Sequence, residues 1–83
     1  MELQEVRKNK ARIIIGKNGV NSGIKKEISQ NIKRYRFLKI KVLKTALSSD
    51  YSIKNLISDL LSDTNFEVIE IRGSSVILSE KPK

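Results

Sequence analysis

Hydrophobic residues change their spacing several times along the chain, and each spacing predicts a different element. Residues 11–15 are almost all apolar and β-branched, which is typical of a buried strand that ends at Gly16. From Asn21 onwards, apolar side chains recur every three or four residues, as on one face of an amphipathic helix. These side chains are Ile24, Ile28, Ile32 and Tyr35. We expect Asn21 or Ser22 to cap this helix, because both residue types favour that position.

The next segments predict a second strand and a second helix. In residues 37–43, apolar positions alternate with Lys39 and Lys41, so this strand has one buried face and one face open to water. The apolar positions of the second helix are Ile53, Leu56, Ile57, Leu60 and Leu61. The residues expected to cap its start are Ser49 or Asp50, and those expected to end it are Thr64 and Asn65.

Two β-rich runs, at residues 66–72 and 75–79, predict an antiparallel hairpin with Gly73 and Ser74 at its turn. The order of elements is therefore β-α-β-α-β-β. Because βαβ crossovers are right-handed and both can lie on the same side, this order predicts an α/β two-layer sandwich. Its four-stranded mixed sheet carries both helices on one face and leaves the other face open.

Length and composition indicate one small domain. We expect it to span residues 11–80, after a basic segment at 1–10 that is flexible or a short helix, and before a tail at 81–83. No apolar run is long enough to cross a membrane, and the charged start lacks the hydrophobic stretch of a signal peptide. These features predict a cytoplasmic protein that does not bind membranes.

The chain contains no cysteine and no histidine, which removes disulfides, thiol nucleophiles, imidazole bases and ordinary zinc sites. Its carboxylates are isolated or belong to the second helix and its cap, where acidic residues commonly face water. No catalytic constellation results. The sequence therefore predicts that the protein is not an enzyme and has no catalytic residues, metal, cofactor or small-molecule substrate.

Positive charge is concentrated in the first half of the chain. The 83 residues carry a net charge of +8, but residues 1–44 hold 13 basic and 3 acidic residues, whereas 45–83 hold 4 basic and 6 acidic. A polyanion is the natural partner of such a surface, because neutralising phosphates releases condensed counterions. A basic surface that serves only solubility would have the same net charge.

The tetrapeptide Gly16-Lys17-Asn18-Gly19, just before the first helix, is the main candidate binding site. Its glycines allow a sharp turn and close approach of a ligand, and the free N–H groups at a helix N-terminus attract anions. Lys17 adds a mobile charge and Asn18 adds a donor and an acceptor. The spacing does not fit a Walker phosphate loop, and the GxxG loop of KH domains joins two helices. We therefore expect this loop to bind RNA phosphates.

Further basic residues extend the candidate surface. Four project from the first helix over an arc of roughly 100° beside its apolar stripe. They are Lys25, Lys26, Lys33 and Arg36. Lysines on a solvated helix face often bind nothing. The candidates outside that helix are Arg12, Lys39 and Lys41. Among the aromatic residues, Tyr35 and Phe66 fit core positions, whereas Phe37 fits the open sheet face, where it would stack on a base.

Three runs of the sequence resemble the CRM domain, the chloroplast RNA splicing and ribosome maturation module, of the YhbY-like type. They are IIIGKNGVNSGIKKEI, FLKIKVL and NFEVIEIRGSSVILSEK, and the resemblance covers about residues 11–80. The stretch KVLKTAL is similar to the short, single-domain archaeal members. Two departures are visible. Only MELQEVRKNK precedes the first strand, where many members have a full helix, and Val20 and Asn21 replace the common Leu-Thr pair.

The resemblance implies an RNA-binding fold similar to the C-terminal domain of translation initiation factor three, with the second and last strands in the middle of the sheet. It also implies that the loop from Gly16 to Gly19 contacts RNA. The sequence thus predicts a monomer that binds structured ribosomal RNA or a ribonucleoprotein in ribosome assembly or RNA maturation. Two alternatives stay open: a small basic DNA-binding protein of the chromatin type, and a protein-interaction module whose basic face is incidental.

Overall fold

A computed structural model describes residues 3–81 of the chain. Its elements are α1 (Leu3–Lys8), β1 (Ile13–Ile15), α2 (Ser22–Tyr35), β2 (Phe37–Val42), a short 3-10 turn (Lys44–Ala46), α3 (Ile53–Leu61), β3 (Phe66–Arg72) and β4 (Ser75–Glu80). The predicted order is confirmed, with α1 added before β1. Residues 1–2 of the predicted basic segment and 82–83 of the predicted tail lie outside the described residues.

The four strands form one mixed sheet in the order β1-β2-β4-β3. Strand β1 runs parallel to β2, with Ile13 opposite Ile40, whereas β4 is antiparallel to both of its neighbours. The long edge strand β3 has an irregular register between Val68 and Glu70. The sheet confirms the prediction that the second and last strands lie in the middle.

The hydrophobic core lies between one face of this sheet and helices α2 and α3. Alternate residues of β1, β2 and β4 point into it and meet the apolar stripes of the two helices, which confirms the two-layer sandwich. The most deeply buried side chains are Ile15, Ile28, Leu38, Ile40, Val42, Leu56, Leu60, Val76 and Leu78. Phe66 is also buried, as predicted, whereas Ile71 is half exposed on β3.

Helix α3 begins two to three residues later than the sequence predicts. Its N-cap is Ser52, whose backbone N–H and hydroxyl both donate to the side-chain oxygen of Asn55. The prediction of Ser49 or Asp50 as the cap is wrong, because both residues lie at the tip of a tight turn, 48–51, that two backbone hydrogen bonds close.

Helix α3 ends at Leu61, before Thr64 and Asn65, as expected. The Thr64 hydroxyl donates to the carbonyls of Leu60 and Leu61, at 3.1 and 2.9 Å. These bonds satisfy carbonyls that have no partner inside the helix. Thr64 therefore takes part in terminating the helix.

The second face of the sheet is not fully open, which corrects the expectation from the alternating lysines. Helix α1 packs against it through Val6, which is only 4% exposed, and Ile77 of β4 is buried on the same side. Lys39 is half buried there, while Lys41, two residues further along β2, is exposed. A period of two places a side chain on a face, but it does not show whether another segment covers that face.

Candidate nucleic-acid interface

The Gly16–Gly19 segment forms a tight turn between β1 and α2. The Gly19 N–H donates to the Gly16 carbonyl at 2.9 Å, and Lys17 and Asn18 lie exposed at the tip. Gly19 has a φ of +65°, which L side chains rarely adopt, although a Cβ there would meet nothing within 4 Å. A Cβ at Gly16 would lie 3.3 Å from a methyl carbon of Leu43. The backbone therefore favours glycine at position 19, whereas a side chain at position 16 would need only a small shift of the exposed Leu43 side chain.

Backbone donors of this turn are available to a ligand. Within residues 3–81, the N–H groups of Lys17 and Asn18 donate to no protein acceptor, and neither do those of Ser22 and Gly23 in the first turn of α2. Asn21 caps the helix, with its side-chain oxygen accepting from a backbone N–H at 2.9 Å. The turn from Gly16 to Gly19, together with Asn21 and Ile24 of the helix start, lines a shallow cavity of about 190 Å³. An anion placed there would meet several N–H donors and the positive end of the helix dipole.

Two of the predicted RNA-binding lysines are engaged within the protein instead. The Lys25 ammonium donates to the Ser62 carbonyl at 2.9 Å, at the C-terminal end of α3. The Lys39 ammonium donates to the carbonyls of Arg7 and Asn9 at 3.0 and 3.2 Å, at the end of α1. Cations are favourable at helix C-termini. Both lysines therefore hold neighbouring helices in place.

A basic groove on the second sheet face begins next to the turn. Its exposed lysines are Lys8, Lys10 and Lys41, and its volume is about 550 Å³. Ile14, which is 57% exposed, lines both this groove and the cavity at the turn. We call Lys17, Lys41, Lys10 and Lys8 the lysine track, because three of them line the basic groove and Ile14 joins that groove to the cavity that Lys17 lines. The sequence leaves open whether Lys8 and Lys10 extend the basic surface or belong to a loose charged tail, because it does not show where the basic segment lies.

Three of the other predicted cations, Arg12, Lys33 and Arg36, lie at the opposite end of α2. The Arg12 guanidinium carbon lies 3.9 Å from the centroid of the Tyr35 ring, and that of Arg34 lies 5.3 Å from it. Arg36 lies over Phe37 at 5.3 Å. The prediction of Tyr35 as a core residue is wrong: as the last residue of α2 it is half buried, lies outside the core cluster and packs against arginine side chains instead.

Arg34 is a member of this cluster that sequence reasoning missed. The alternation of arginine and aromatic residues from Arg34 to Phe37 is the signal that would have found it. Lys33 is exposed nearby and lines the same groove as Arg34 and Phe37. Lys26 is exposed on the first half of α2.

The predicted site residues therefore form two groups rather than one. Helix α2 has 14 residues, so its ends lie roughly 20 Å apart at about 1.5 Å per residue. The glycine turn lies at its first end, and Arg12, Lys33 and Arg36 lie at its last. A surface that contacts both groups must be long enough to follow the helix.

Among residues 3–81, no group of acidic side chains is placed to hold a metal ion. The same part of the chain has no helix that combines the length and the apolar content needed to cross a membrane.

Comparison with known proteins identifies the family. No curated protein matches the chain. The solution structure of the hypothetical protein SAV1595 from Staphylococcus aureus, described as a candidate RNA-binding protein, is similar to this chain with a TM-score of 0.71. The match covers 96% of this chain and 80% of that one at 24% identity, which shows a common fold. The model of the CRS1/YhbY (CRM) domain matches residues 3–78, nearly the whole chain, and confirms the resemblance. The protein therefore belongs to the CRS1/YhbY (CRM) domain family.

Proposed function

We propose that this protein binds structured RNA and holds its backbone at the Gly16–Gly19 turn. The observation that carries the proposal is the set of free N–H groups at Lys17 and Asn18, which lie beside the N-terminus of α2. Such an arrangement suits a phosphate oxygen. Membership of the CRM family and the fold shared with a candidate RNA-binding protein support RNA as the polyanion.

The lysine track extends the proposed RNA-binding surface beyond the turn. Lys8, Lys10, Lys17 and Lys41 are exposed, and within residues 3–81 their ammonium groups make no hydrogen bond or ion pair. Together with the backbone donors of the turn they would engage about five phosphates. Only the four lysines neutralise phosphate charge, so the logarithm of the affinity should fall with the logarithm of salt concentration at a slope of roughly −2.8 to −3.6.

The RNA, in this proposal, is ribosomal RNA or a pre-ribosomal particle that the protein meets as a monomer in the cytoplasm. The protein acts in ribosome assembly or RNA maturation, by binding and without catalysis. The family supports this role, and crosslinking in cells followed by sequencing of the bound RNA tests it. Recovery of ribosomal RNA is the expected result, whereas recovery of other RNA classes alone would contradict the assignment.

Binding to an A-form RNA hairpin tests the core of the proposal. We expect tighter binding to the hairpin than to a DNA duplex of equal length at equal salt, measured by fluorescence anisotropy. Lys17→Ala should weaken binding about two- to fivefold, which corresponds to about 0.5–1 kcal/mol for one exposed ion pair. Lys54→Ala is the matched control, because Lys54 is an exposed lysine of α3 that lines neither the turn cavity nor the basic groove.

Nuclear magnetic resonance locates the contact. Titration with the hairpin should shift the amide signals of residues 16–19 most strongly. If RNA binds while these signals stay unchanged, the turn is not the site. Equal affinity for RNA and DNA would favour the DNA-binding alternative, and self-association without salt dependence would favour the protein-interaction module.

A further inference from the structure

We infer that a groove at the C-terminal end of α2 is a second RNA subsite, which takes unpaired bases by stacking them on aromatic rings and arginine planes. We call it the arginine–aromatic groove; it has a volume of about 730 Å³, and Arg34, Tyr35, Arg36 and Phe37 line it. The inference rests on the proposed RNA-binding function and adds a site of different chemistry, because bases rather than phosphates would enter it.

Aromatic surface is scarce in this protein and is concentrated in the groove. The chain has two tyrosines and two phenylalanines. Phe66 is buried in the core, and the Tyr51 hydroxyl donates to Asp59. Tyr35 and Phe37 are half buried and both line the groove. The aromatic side chains that a ligand can reach here therefore lie together.

Arginine planes enlarge the stacking surface. Arg34 lies 5.3 Å from the centroid of the Tyr35 ring, Arg36 lies 5.3 Å from that of Phe37, and both arginines line the groove. Unpaired RNA bases stack on aromatic side chains and on guanidinium planes alike. Base–aromatic stacking contributes about 1–3 kcal/mol per base.

The acidic residues of the groove add hydrogen-bond acceptors for bases. Glu67 and Glu80 line it together with Lys33, Arg34, Arg36 and Lys81, and within residues 3–81 neither glutamate forms an ion pair. The two carboxylates lower the positive potential that attracts a phosphate, and each can accept hydrogen bonds from the exocyclic amino group of cytosine and, by the same chemistry, of adenine or guanine. The groove should therefore prefer bases that carry an amino group over uracil.

The backbone fixes the groove before any ligand binds. Helix α2 ends at Tyr35 and β2 begins at Phe37, so a single residue, Arg36, makes the connection with a φ of +69°. Its N–H donates to the Ile32 carbonyl at 2.9 Å, and its carbonyl accepts from the Ser79 hydroxyl at 3.1 Å. These two hydrogen bonds hold Arg36 in a rarely populated backbone conformation before any ligand binds. The rings of the neighbouring Tyr35 and Phe37 are therefore already in place, and binding does not have to order them.

The test compares RNA hairpins with and without a short single-stranded extension. An adenine extension should tighten binding to the wild-type protein about 5- to 150-fold relative to the blunt hairpin, which corresponds to the stacking of one base. A uracil extension should give a smaller gain. Phe37→Leu and Arg34→Gln should reduce the gain from the extension by a larger factor than they reduce binding of the blunt hairpin. Arg34 is exposed, so its variant keeps the fold even if the leucine variant does not.

Tyrosine fluorescence provides a direct signal, because the chain has no tryptophan and two tyrosines. In a Tyr51→Phe background, the adenine extension should quench the remaining emission, which comes from Tyr35. Lys17→Ala should weaken binding of the blunt hairpin but keep the gain from the extension.

The outcomes separate the two proposals. Failure of every hairpin to bind would overturn the proposed function. Tight binding of the blunt hairpin without any gain from an extension would overturn the groove inference alone. Quenching of Tyr35 by an acidic peptide but not by the extended RNA would also overturn it, and would assign the groove to a protein partner.

Discussion

Replacement of Lys39 by methionine should detach α1 from the sheet. The helix has six residues, which is too few for a helix to be stable alone in water. Its position depends on the burial of Val6 and on a bidentate salt bridge between Arg7 and Glu70, with both contacts at 3.1 Å. It also depends on the two hydrogen bonds that the Lys39 ammonium donates. Methionine keeps the apolar stem of the side chain and removes both bonds.

The magnitude follows from the two hydrogen bonds. A bond to a charged group contributes about 1.5–3 kcal/mol when it is well shielded, but water can reach both carbonyls here. We therefore expect a loss of about 1–2 kcal/mol in the free energy of unfolding for the pair of bonds together. Each kcal/mol should lower the melting temperature of a domain of this size by about 4–8 °C.

Urea unfolding and amide hydrogen exchange measure the effect. Lys41→Met is the matched control: it removes the same charge from the same strand, but Lys41 is exposed and makes no hydrogen bond within residues 3–81. The control should change stability by less than about 0.5 kcal/mol, as expected for an ordinary surface substitution. Exchange should accelerate in residues 3–8 only after the Lys39 change. Equal stability of the two variants, with α1 equally protected, would refute the reasoning.

Three further predictions concern other parts of the fold. Asn21→Ala should lower the free energy of unfolding by about 1 kcal/mol, because the helix loses its cap. Asn21→Asp should keep the cap and the stability in urea. It should weaken RNA binding, because it places a negative charge beside the turn. Gly19→Val should lower the free energy of unfolding, measured by thermal unfolding, by about 1 kcal/mol or more, because the backbone at position 19 has a φ of +65°. The same variant should weaken RNA binding more than Lys33→Ala does. Partial burial, followed by the hydrogen bond to Asp59 and its negative charge, raises the pKa of Tyr51 from 10.0 to about 12. The neutral Tyr51 hydroxyl therefore contributes to the free energy of unfolding fully below pH 10, and this contribution is lost as the pH rises through 12. Urea midpoints across this range should fall less steeply in Tyr51→Phe.

Periodicity predicted the two layers, because each long element buries one continuous face. The apolar stripes of α2 and α3 and the alternation in β2 report that burial directly. Hydrophobic periodicity no longer predicts burial at the end of an element. Tyr35 continues the spacing of Ile28 and Ile32, but it is the last residue of the helix, lies outside the core and contacts arginines instead.

The sequence could not predict which groups the long charged side chains contact. Lys25 and Lys26 are adjacent on the same helix, yet one donates to the Ser62 carbonyl and the other lies exposed. The choice depends on where α3 ends in space, which depends in turn on the Ser52 cap and the turn before it. Net charge therefore overestimates the cations available to RNA, since part of it stabilises helix C-termini.

Helix α2 gives a physical reason for the division of chemistry that we propose between its ends. Its N-terminus presents free N–H groups and a positive partial charge, which attract phosphate. Its C-terminus presents carbonyls and a negative partial charge, which weakens the attraction of the nearby arginines for phosphate. Neutral, polarisable bases do not depend on that attraction, and Tyr35 and Phe37 offer them a surface. One helix dipole thus favours backbone contact at the turn and base contact about 20 Å away.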